Sequence, residues 1–130
     1  MTMRRTQRRP RLHDHARYVY RIDRNTTIVA VRGEIDAYNA AGMLLHAQCR
    51  NTTGEPALVL DLTGLKFLGT QGLFTLIAIG QQCHRAAIPW ITVPSPAVNR
   101  LLQLSRTHGE VRTAETVPVA LDILGFKPPT

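Results

Sequence analysis

Residues 57–62, ALVLDL, limit the possible fold more than any other part of the sequence. The apolar residues of this segment do not alternate with polar ones, which is typical of a strand covered on both faces. Such strands lie inside sheets that carry helices, and the chain of 130 residues is long enough for one domain of this kind. We therefore expect residues 57–62 to form the central strand of an α/β domain.

The remaining segments alternate between strand and helix patterns. Residues 18–22 and 26–33 are rich in β-branched and aromatic residues and are joined by a polar turn, which predicts a hairpin. Apolar residues at helical spacing follow Asp36, which occupies the N-cap position of a predicted helix. Further strands are predicted at 88–93 and 111–113, and further helices at 71–85, 97–105 and 116–125. This order implies helices packed on a mostly parallel sheet.

Positive charge is concentrated at the N-terminus. Residues 1–17 contain six arginines and one aspartate, whereas the remainder contributes only +2 to the net charge of +7. With one leucine and no aromatic residue, this segment lacks the apolar surface needed to fold, so we predict a disordered tail at 1–17. A single domain at 18–125 and a short tail at 126–130 would follow. The basic tail could attract nucleic acid or an acidic partner, or it could be a solvated extension without a function.

The composition excludes several classes of protein. Apolar residues make up 44% of the chain and charged residues 19%, which is typical of a soluble globular protein, and the longest apolar run is far shorter than a membrane span. The N-terminus has no apolar signal segment, so we expect a cytoplasmic protein. Cys49 and Cys83 fall in predicted helices without metal-ligand spacing. We expect buried reduced thiols and no metal or cofactor; a redox-sensitive pair would require their Cα atoms to lie within about 7 Å.

The common catalytic motifs for nucleotide binding, hydrolysis and zinc proteolysis do not occur in the sequence. Glu34, Asp36 and Asp61 lie near predicted strand ends, where an acid–base pair could form. Capping and turn roles explain Asp36 and Asp61 more simply. We therefore expect a protein that is not an enzyme.

Three ordered stretches carry a resemblance to a known family. They are VRGEID at 31–36, LDLTGLKFLGTQGL at 60–73 and the leucine-rich segment at 94–104. Together they resemble the STAS domain, the fold of bacterial anti-sigma factor antagonists, over residues 18–125. The resemblance implies a SpoIIAA-like α/β fold, with a mixed, mostly parallel β-sheet and helices packed mainly on one face. It also implies a binding module that sequesters an anti-sigma factor with a kinase-like ATPase fold and thereby frees a sigma factor.

The same resemblance identifies candidate site residues. In antagonists of the family the corresponding turn reads apolar-Asp-Ser-Ser-Gly, and the serine before the glycine is phosphorylated by the partner kinase. Aligned on Gly72, this chain has Gly69 at the acidic position, Thr70 at the first hydroxyl position and Gln71 at the phosphoacceptor position. By resemblance, these four residues and Asp36 border the surface that binds the partner. Gln71 has no hydroxyl group and cannot accept a phosphate.

Three interpretations of this departure stay open. In the favoured one, the protein binds its partner without phosphate control, Gln71 is a permanent uncharged contact and Thr70 is the helix N-cap. In the second, Thr70 accepts the phosphate one residue earlier, about 100° around the helix. In the third, the domain is a scaffold or sensor outside sigma regulation. A rival hypothesis of another class is an Arg-tailed nucleic-acid-binding α/β protein. Outside the tail, the chain has few aromatic residues on which bases could stack and a net charge of only +2, which disfavours this hypothesis.

Overall fold

The computed structural model describes residues 15–51, 57–107 and 109–125. Within these residues four strands form one sheet in the order β1-β2-β3-β4, and four helices pack against it. The strands are β1 (Ala16–Asp23), β2 (Thr26–Ile35), β3 (Ala57–Leu68) and β4 (Trp90–Pro94). The helices are α1 (Ala40–Asn51), α2 (Thr70–Arg85), α3 (Pro96–Ser105) and α4 (Val117–Gly125). The predicted tail up to residue 14 and residues 126–130 lie outside the described residues.

The first two strands form the predicted hairpin. They pair antiparallel, with Asp23 opposite Thr26. Arg24 and Asn25 both have positive φ angles, 52° and 57°, which is the conformation of a two-residue turn that matches the twist of the strands. The Arg24 guanidinium also donates to a carboxylate oxygen of Asp122 at 2.7 Å, so the turn is tied to α4. β1 begins at Ala16 and therefore includes the last two residues of the segment predicted as a tail.

The third strand is the central strand of the parallel part of the sheet. It lies between β2 and β4 and is parallel to both. Five of its first six residues are buried, which confirms the prediction for residues 57–62. The strand continues to Leu68, beyond its predicted end, because two register irregularities let its later residues still pair with β2. The predicted edge strand at 111–113 is only a single bridge between Thr113 and Thr92.

The sheet separates two apolar clusters. Helices α1, α2 and α3 cover one face, where the largest cluster includes Val29, Leu58, Leu60, Leu76 and Leu102. Helix α4 covers part of the other face, where a smaller cluster includes Ile28, Val59, Ile91 and Leu121. The helices therefore pack mainly on one face of a mixed sheet, as predicted.

Helix α2 passes close to the sheet because two of its buried residues are glycines. A Cβ atom at Gly72 would overlap the Leu68 side chain and lie 2.9 Å from Cγ2 of Ile35. A Cβ atom at Gly80 would overlap the indole ring of Trp90 and lie 3.1 Å from its Cε2. The helix is thus fitted against the sheet in its first turn and again about two turns later. Farther along it, Cys83 is buried, as predicted; the side chain of Cys49 lies outside the described residues, so the question of a redox pair stays open.

Candidate functional site

Two loops meet at the carboxyl ends of β2 and β3. Strand β2 ends at Ile35, and residues 36–39 lead into α1; β3 ends at Leu68, and α2 begins two residues later. Ile35 pairs with Leu68, and the backbone N–H of Gly69 donates to the carbonyl oxygen of Ile35 at 2.9 Å. Asp36 and the first turn of α2 therefore lie at one edge of the sheet. Binding sites in open α/β sheets commonly occur at this edge.

Asp36 organises the loop before α1. One carboxylate oxygen of Asp36 accepts hydrogen bonds from the backbone N–H groups of Tyr38 at 2.9 Å and Asn39 at 3.1 Å. In return, the side-chain oxygen of Asn39 accepts from the backbone N–H of Asp36 at 2.8 Å. This reciprocal arrangement is that of a capping box, with asparagine in the place of the usual glutamate or glutamine. Asp36 therefore caps the turn of residues 36–39, whereas α1 itself begins only at Ala40, four residues after the predicted N-cap.

Thr70 and Gln71 form the start of α2, and both are exposed. Gly69 holds the N-cap position with an extended backbone, and among the described residues no side chain caps this helix. The prediction of Thr70 as N-cap is therefore wrong. The chain leaves β3 through Gly69, whose N–H is bonded to Ile35, and helical backbone begins at the next residue. The first turn contains no acidic residue, so two uncharged side chains lie at the partly positive end of the helix.

Gly72 differs from the other predicted site residues because it is buried. Its neighbours are Leu68 and Ile35, at the ends of β3 and β2. Gly72 therefore offers a partner no exposed side chain, and the partner contact expected of it stays a prediction. Its role is to let the first turn of α2 approach the sheet, which sets the position of Thr70 and Gln71.

Three aromatic side chains are exposed at this end of the molecule. Tyr38 is 78% exposed, Phe67 51% and Phe74 58%. Phe74 follows Thr70 by four residues and Gln71 by three, so the three side chains are neighbours on the helix surface. We call the exposed side chains of these five residues the strand-end surface. It combines two uncharged polar groups with three large rings.

Sequence reasoning missed most of the apolar part of this surface. The buried positions of α2 include Leu73 and Leu76, and Phe74 lies off that stripe. The signal was present in the helical spacing of the apolar residues. Phe67 was not identified because the register irregularities in β3 interrupt the alternation of inward and outward side chains.

The three carboxylates considered for acid–base chemistry do not form one site. Asp61 accepts from the hydroxyl of Thr63 at 2.6 Å and from its backbone N–H at 3.0 Å. Glu34 lies 3.5 Å from a ring nitrogen of His15, and Asp36 is engaged in its capping turn. Each carboxylate therefore has a local structural partner.

The described part of the chain contains no group of three histidine, cysteine, aspartate or glutamate side chains that could hold a metal ion. Among the helices of residues 15–51, 57–107 and 109–125, none is both long and apolar enough to cross a membrane.

Comparison with known proteins agrees with this architecture. The family model of the STAS domain matches residues 17–120. The crystal structure of an anti-sigma factor antagonist from Mycobacterium paratuberculosis is similar with a TM-score of 0.75 at 26% identity, over 83% of this chain and 92% of that one. SpoIIAA in its unphosphorylated form has a TM-score of 0.67 at 19% identity, over 86% of this chain and 100% of that one. The phosphorylated form of SpoIIAA from Bacillus has a TM-score of 0.61 at 18% identity, over 83% and 99% of the two chains.

Sequence comparison with curated proteins also finds similarity over part of the chain. Osmosensory protein A of Mycobacterium tuberculosis (strain ATCC 25618 / H37Rv) is 38% identical over 72 residues, which are 55% of this chain and 45% of that protein. The match thus spans less than half the length of that relative. The fold class and the resemblance derived from the sequence are both confirmed by these comparisons.

Proposed function

The chain belongs to the STAS domain family, and on this premise we propose that it is an anti-sigma factor antagonist that binds its partner through the strand-end surface. The partner in this proposal is an anti-sigma factor with a kinase-like ATPase fold, and its capture frees a sigma factor. The likeness to the antagonist from Mycobacterium paratuberculosis supports the class of partner. Because the freed sigma factor would bind RNA polymerase, the proposed place of action is the cytoplasm.

The observation that carries this proposal is the exposed, uncharged pair Thr70 and Gln71 beside three exposed rings. Aromatic side chains supply much of the binding energy in protein interfaces, because they bury large areas at a small entropic cost. An uncharged helix start can be desolvated beside them at a lower cost than a carboxylate could. The surface therefore suits a protein partner better than a small substrate.

The proposed protein binds without the serine switch of the family. Gln71 lacks a hydroxyl group and keeps the contact uncharged at all times. Thr70 carries a hydroxyl group, but it lies one residue earlier, about 100° around the helix axis. A kinase that aligns its catalytic groups with residue 71 would meet an amide there. The favoured consequence is a permanently competent antagonist.

A charge at residue 71 tests the binding surface. Gln71→Glu should weaken binding to the purified anti-sigma factor by at least tenfold, measured by titration calorimetry, because a carboxylate in the contact must be desolvated. The substitution should not unfold the protein, since a negative charge at a helix N-terminus is favourable. Gln81→Glu, on the exposed surface of the same helix, is the matched control and should leave the affinity unchanged. Equal affinities of wild type and Gln71→Glu would exclude the strand-end surface as the contact.

Phosphorylation is tested separately with ATP and the partner. We expect no labelling of the wild type and labelling of Gln71→Ser at the introduced hydroxyl. Labelling of the wild type that Thr70→Val abolishes would replace the favoured interpretation by the one in which Thr70 is the acceptor. Phosphopeptide mapping of residues 67–85 distinguishes the two positions.

A sensory or scaffolding role is the second candidate. It is favoured by the 38% identity over 72 residues to Osmosensory protein A. In that case the partner recovered with the tagged protein from its source cells should change after a shift to high osmolarity and should not be an anti-sigma factor. Recovery of the same anti-sigma factor with and without the shift would support the first candidate.

A further inference from the structure

Strand β1 is an edge strand of the sheet. It pairs with β2 on one side, and among residues 15–51, 57–107 and 109–125 no strand pairs with its other side. Edge strands present backbone N–H and C=O groups to other chains, and proteins commonly protect such edges with prolines, bulges or charges. β1 contains no proline, and its eight residues pair with β2 in continuous register. Its charged side chains therefore decide which strand can pair with it.

The hairpin turn determines which backbone groups of β1 point outward. Asp23 and Thr26 flank a two-residue turn, so their backbone groups bond to each other across the hairpin. Every second residue back along β1 repeats this pattern, and the residues between them direct their N–H and C=O groups away from β2. Tyr18 and Ile22 are two of these outward-directed residues. An antiparallel strand at this edge would form hydrogen bonds with both of them.

The side chains of β1 combine exposed apolar groups with opposite charges. Val19 is 52% exposed and Ile22 62%, which are large fractions for apolar residues in a strand. Arg17 is exposed and has no ion-pair partner within the described part of the chain. At the other end of the strand, the exposed carboxylate of Asp23 lies 3.6 Å from Arg21. One strand thus carries an unpaired cation near its start and an accessible carboxylate at its end.

This charge pattern is complementary to a second copy of the same strand. When two copies of β1 pair antiparallel about a two-fold axis, hydrogen bonds form only in registers that place outward-directed residues opposite each other. One such register places Tyr18 opposite Ile22. It also places Arg17 opposite Asp23, and the symmetry makes this contact twice. A shift by two residues in either direction places Arg21 opposite an arginine of the second copy, which is destabilising. The charges therefore select one register.

We propose that β1 binds β1 of a second copy in this register, so that the two four-stranded sheets form one continuous sheet. Backbone hydrogen bonds hold the two edges together, and the two Arg17–Asp23 pairs fix the register. These pairs occupy positions that are not hydrogen-bonded between the copies, where opposite side chains lie closest. The strand-end surface lies at the ends of β2 and β3 and outside this edge, so the dimer does not depend on the proposed function.

Charge-reversed variants of the full chain test the register. Arg17→Asp and Asp23→Arg each place like charges at both symmetric contacts, so each should raise the dissociation constant of the dimer by about tenfold or more. An equimolar mixture of the two variants should restore dimers, because the two substituted strands are complementary at both contacts. The double variant Arg17→Asp, Asp23→Arg should also restore them. Sedimentation velocity over a range of concentrations at low ionic strength measures these constants.

The controls separate the register from the net charge. The wild-type charge is +7, so both single variants stay positive and a general attraction between them cannot explain recovery in the mixture. Arg112→Asp and Glu115→Arg make the same charge changes at exposed residues outside β1 and should dimerise like the wild type. A wild type that stays monomeric at about 100 μM would overturn the proposal. So would single variants that dimerise like the wild type, or a mixture that does not recover.

Hydrogen exchange followed by NMR tests the same edge without a substitution. The backbone N–H groups of Tyr18 and Ile22 should exchange more slowly at high protein concentration than at low concentration, because the dimer bonds them. Exchange that is independent of concentration would overturn the proposal. Protection that appears only after the anti-sigma factor is added would assign the edge to that partner instead.

Discussion

Replacing Asp36 by alanine should destabilise the protein by about 1 kcal/mol, within the range of about 0.5–2 kcal/mol measured for lost helix caps. The variant leaves the backbone N–H groups of Tyr38 and Asn39 without the carboxylate oxygen that now accepts from both. Asp36→Asn keeps an acceptor at the same place and should stay within a few tenths of a kcal/mol of the wild type. The loss of stability expected in Asp36→Ala is therefore due to the missing hydrogen bonds and not to the missing charge.

Urea unfolding followed by the fluorescence of Trp90, the only tryptophan, measures this difference. For an m value of about 1–3 kcal/mol/M, a loss of 1 kcal/mol lowers the midpoint by about 0.3–1 M. Because Asn39 bonds back to Asp36, the double variant Asp36→Ala, Asn39→Ala should lose less than the sum of the two single losses. An unchanged midpoint in Asp36→Ala, or strictly additive losses, would refute the capping box as a source of stability.

The same variants separate structure from partner binding. Asp36→Asn preserves the turn but removes the negative charge at the edge of the strand-end surface. A weaker complex with the anti-sigma factor, at unchanged stability, would place the charge of Asp36 in the interface. Equal affinity would leave Asp36 with its structural role.

Two further perturbations follow from the packing. Gly80→Ala should lower the free energy of unfolding by about 1 kcal/mol, because overpacking against Trp90 costs about 1–3 kcal/mol and the better helix propensity of alanine returns about 1 kcal/mol. The emission maximum of Trp90 should shift in this variant. A variant with unchanged emission and unchanged stability would contradict the close approach of the helix to Trp90. The Tyr18 hydroxyl is buried with no hydrogen-bond partner within the described residues, and burial raises its pKa to about 12. The unfolded chain loses this proton near pH 10 and the native state only near pH 12, so the free energy of unfolding should fall between these pH values. Urea midpoints measured at each pH should show a smaller fall in Tyr18→Phe. Parallel pH profiles of the two proteins would contradict a raised pKa for Tyr18.

The architecture could be predicted because it depends on residue periodicity. The apolar residues at 57–62, which do not alternate with polar ones, predicted cover on both faces, and the structure provides α4 on one side and the other helices on the opposite side. Boundaries were less predictable where tertiary pairing overrides the local pattern. β3 continues to Leu68 because β2 keeps pairing with it, and the segment at 111–113 makes one bridge because only Thr113 pairs with β4. The hydrogen bond of Arg24 to Asp122 also joins residues that are far apart in the sequence, which local sequence does not reveal.

The proximity of the candidate site residues could be predicted from the sequence, but the full composition of their surroundings could not. Motif resemblance placed Asp36, Thr70 and Gln71 together, and Ile35 brings their loops to one edge. It could not reveal that Gly72 is buried, because that depends on the distance between a helix and a sheet.

The two tight glycines of α2 have a consequence for recognition. At Gly72 and Gly80 the helix lies so close to Leu68 and Trp90 that a side chain at either position would meet a steric clash, so a rotation that brought another residue of α2 there is blocked. The backbone of residue 71 is therefore positioned before any complex forms, and a surface positioned in advance lowers the entropic cost of association. Any adaptation of shape falls to the protein that docks. Residue 80 lies about 14 Å along the helix axis from Gln71. An effect of Gly80→Ala on partner binding would therefore have to arise from a shift of the whole helix.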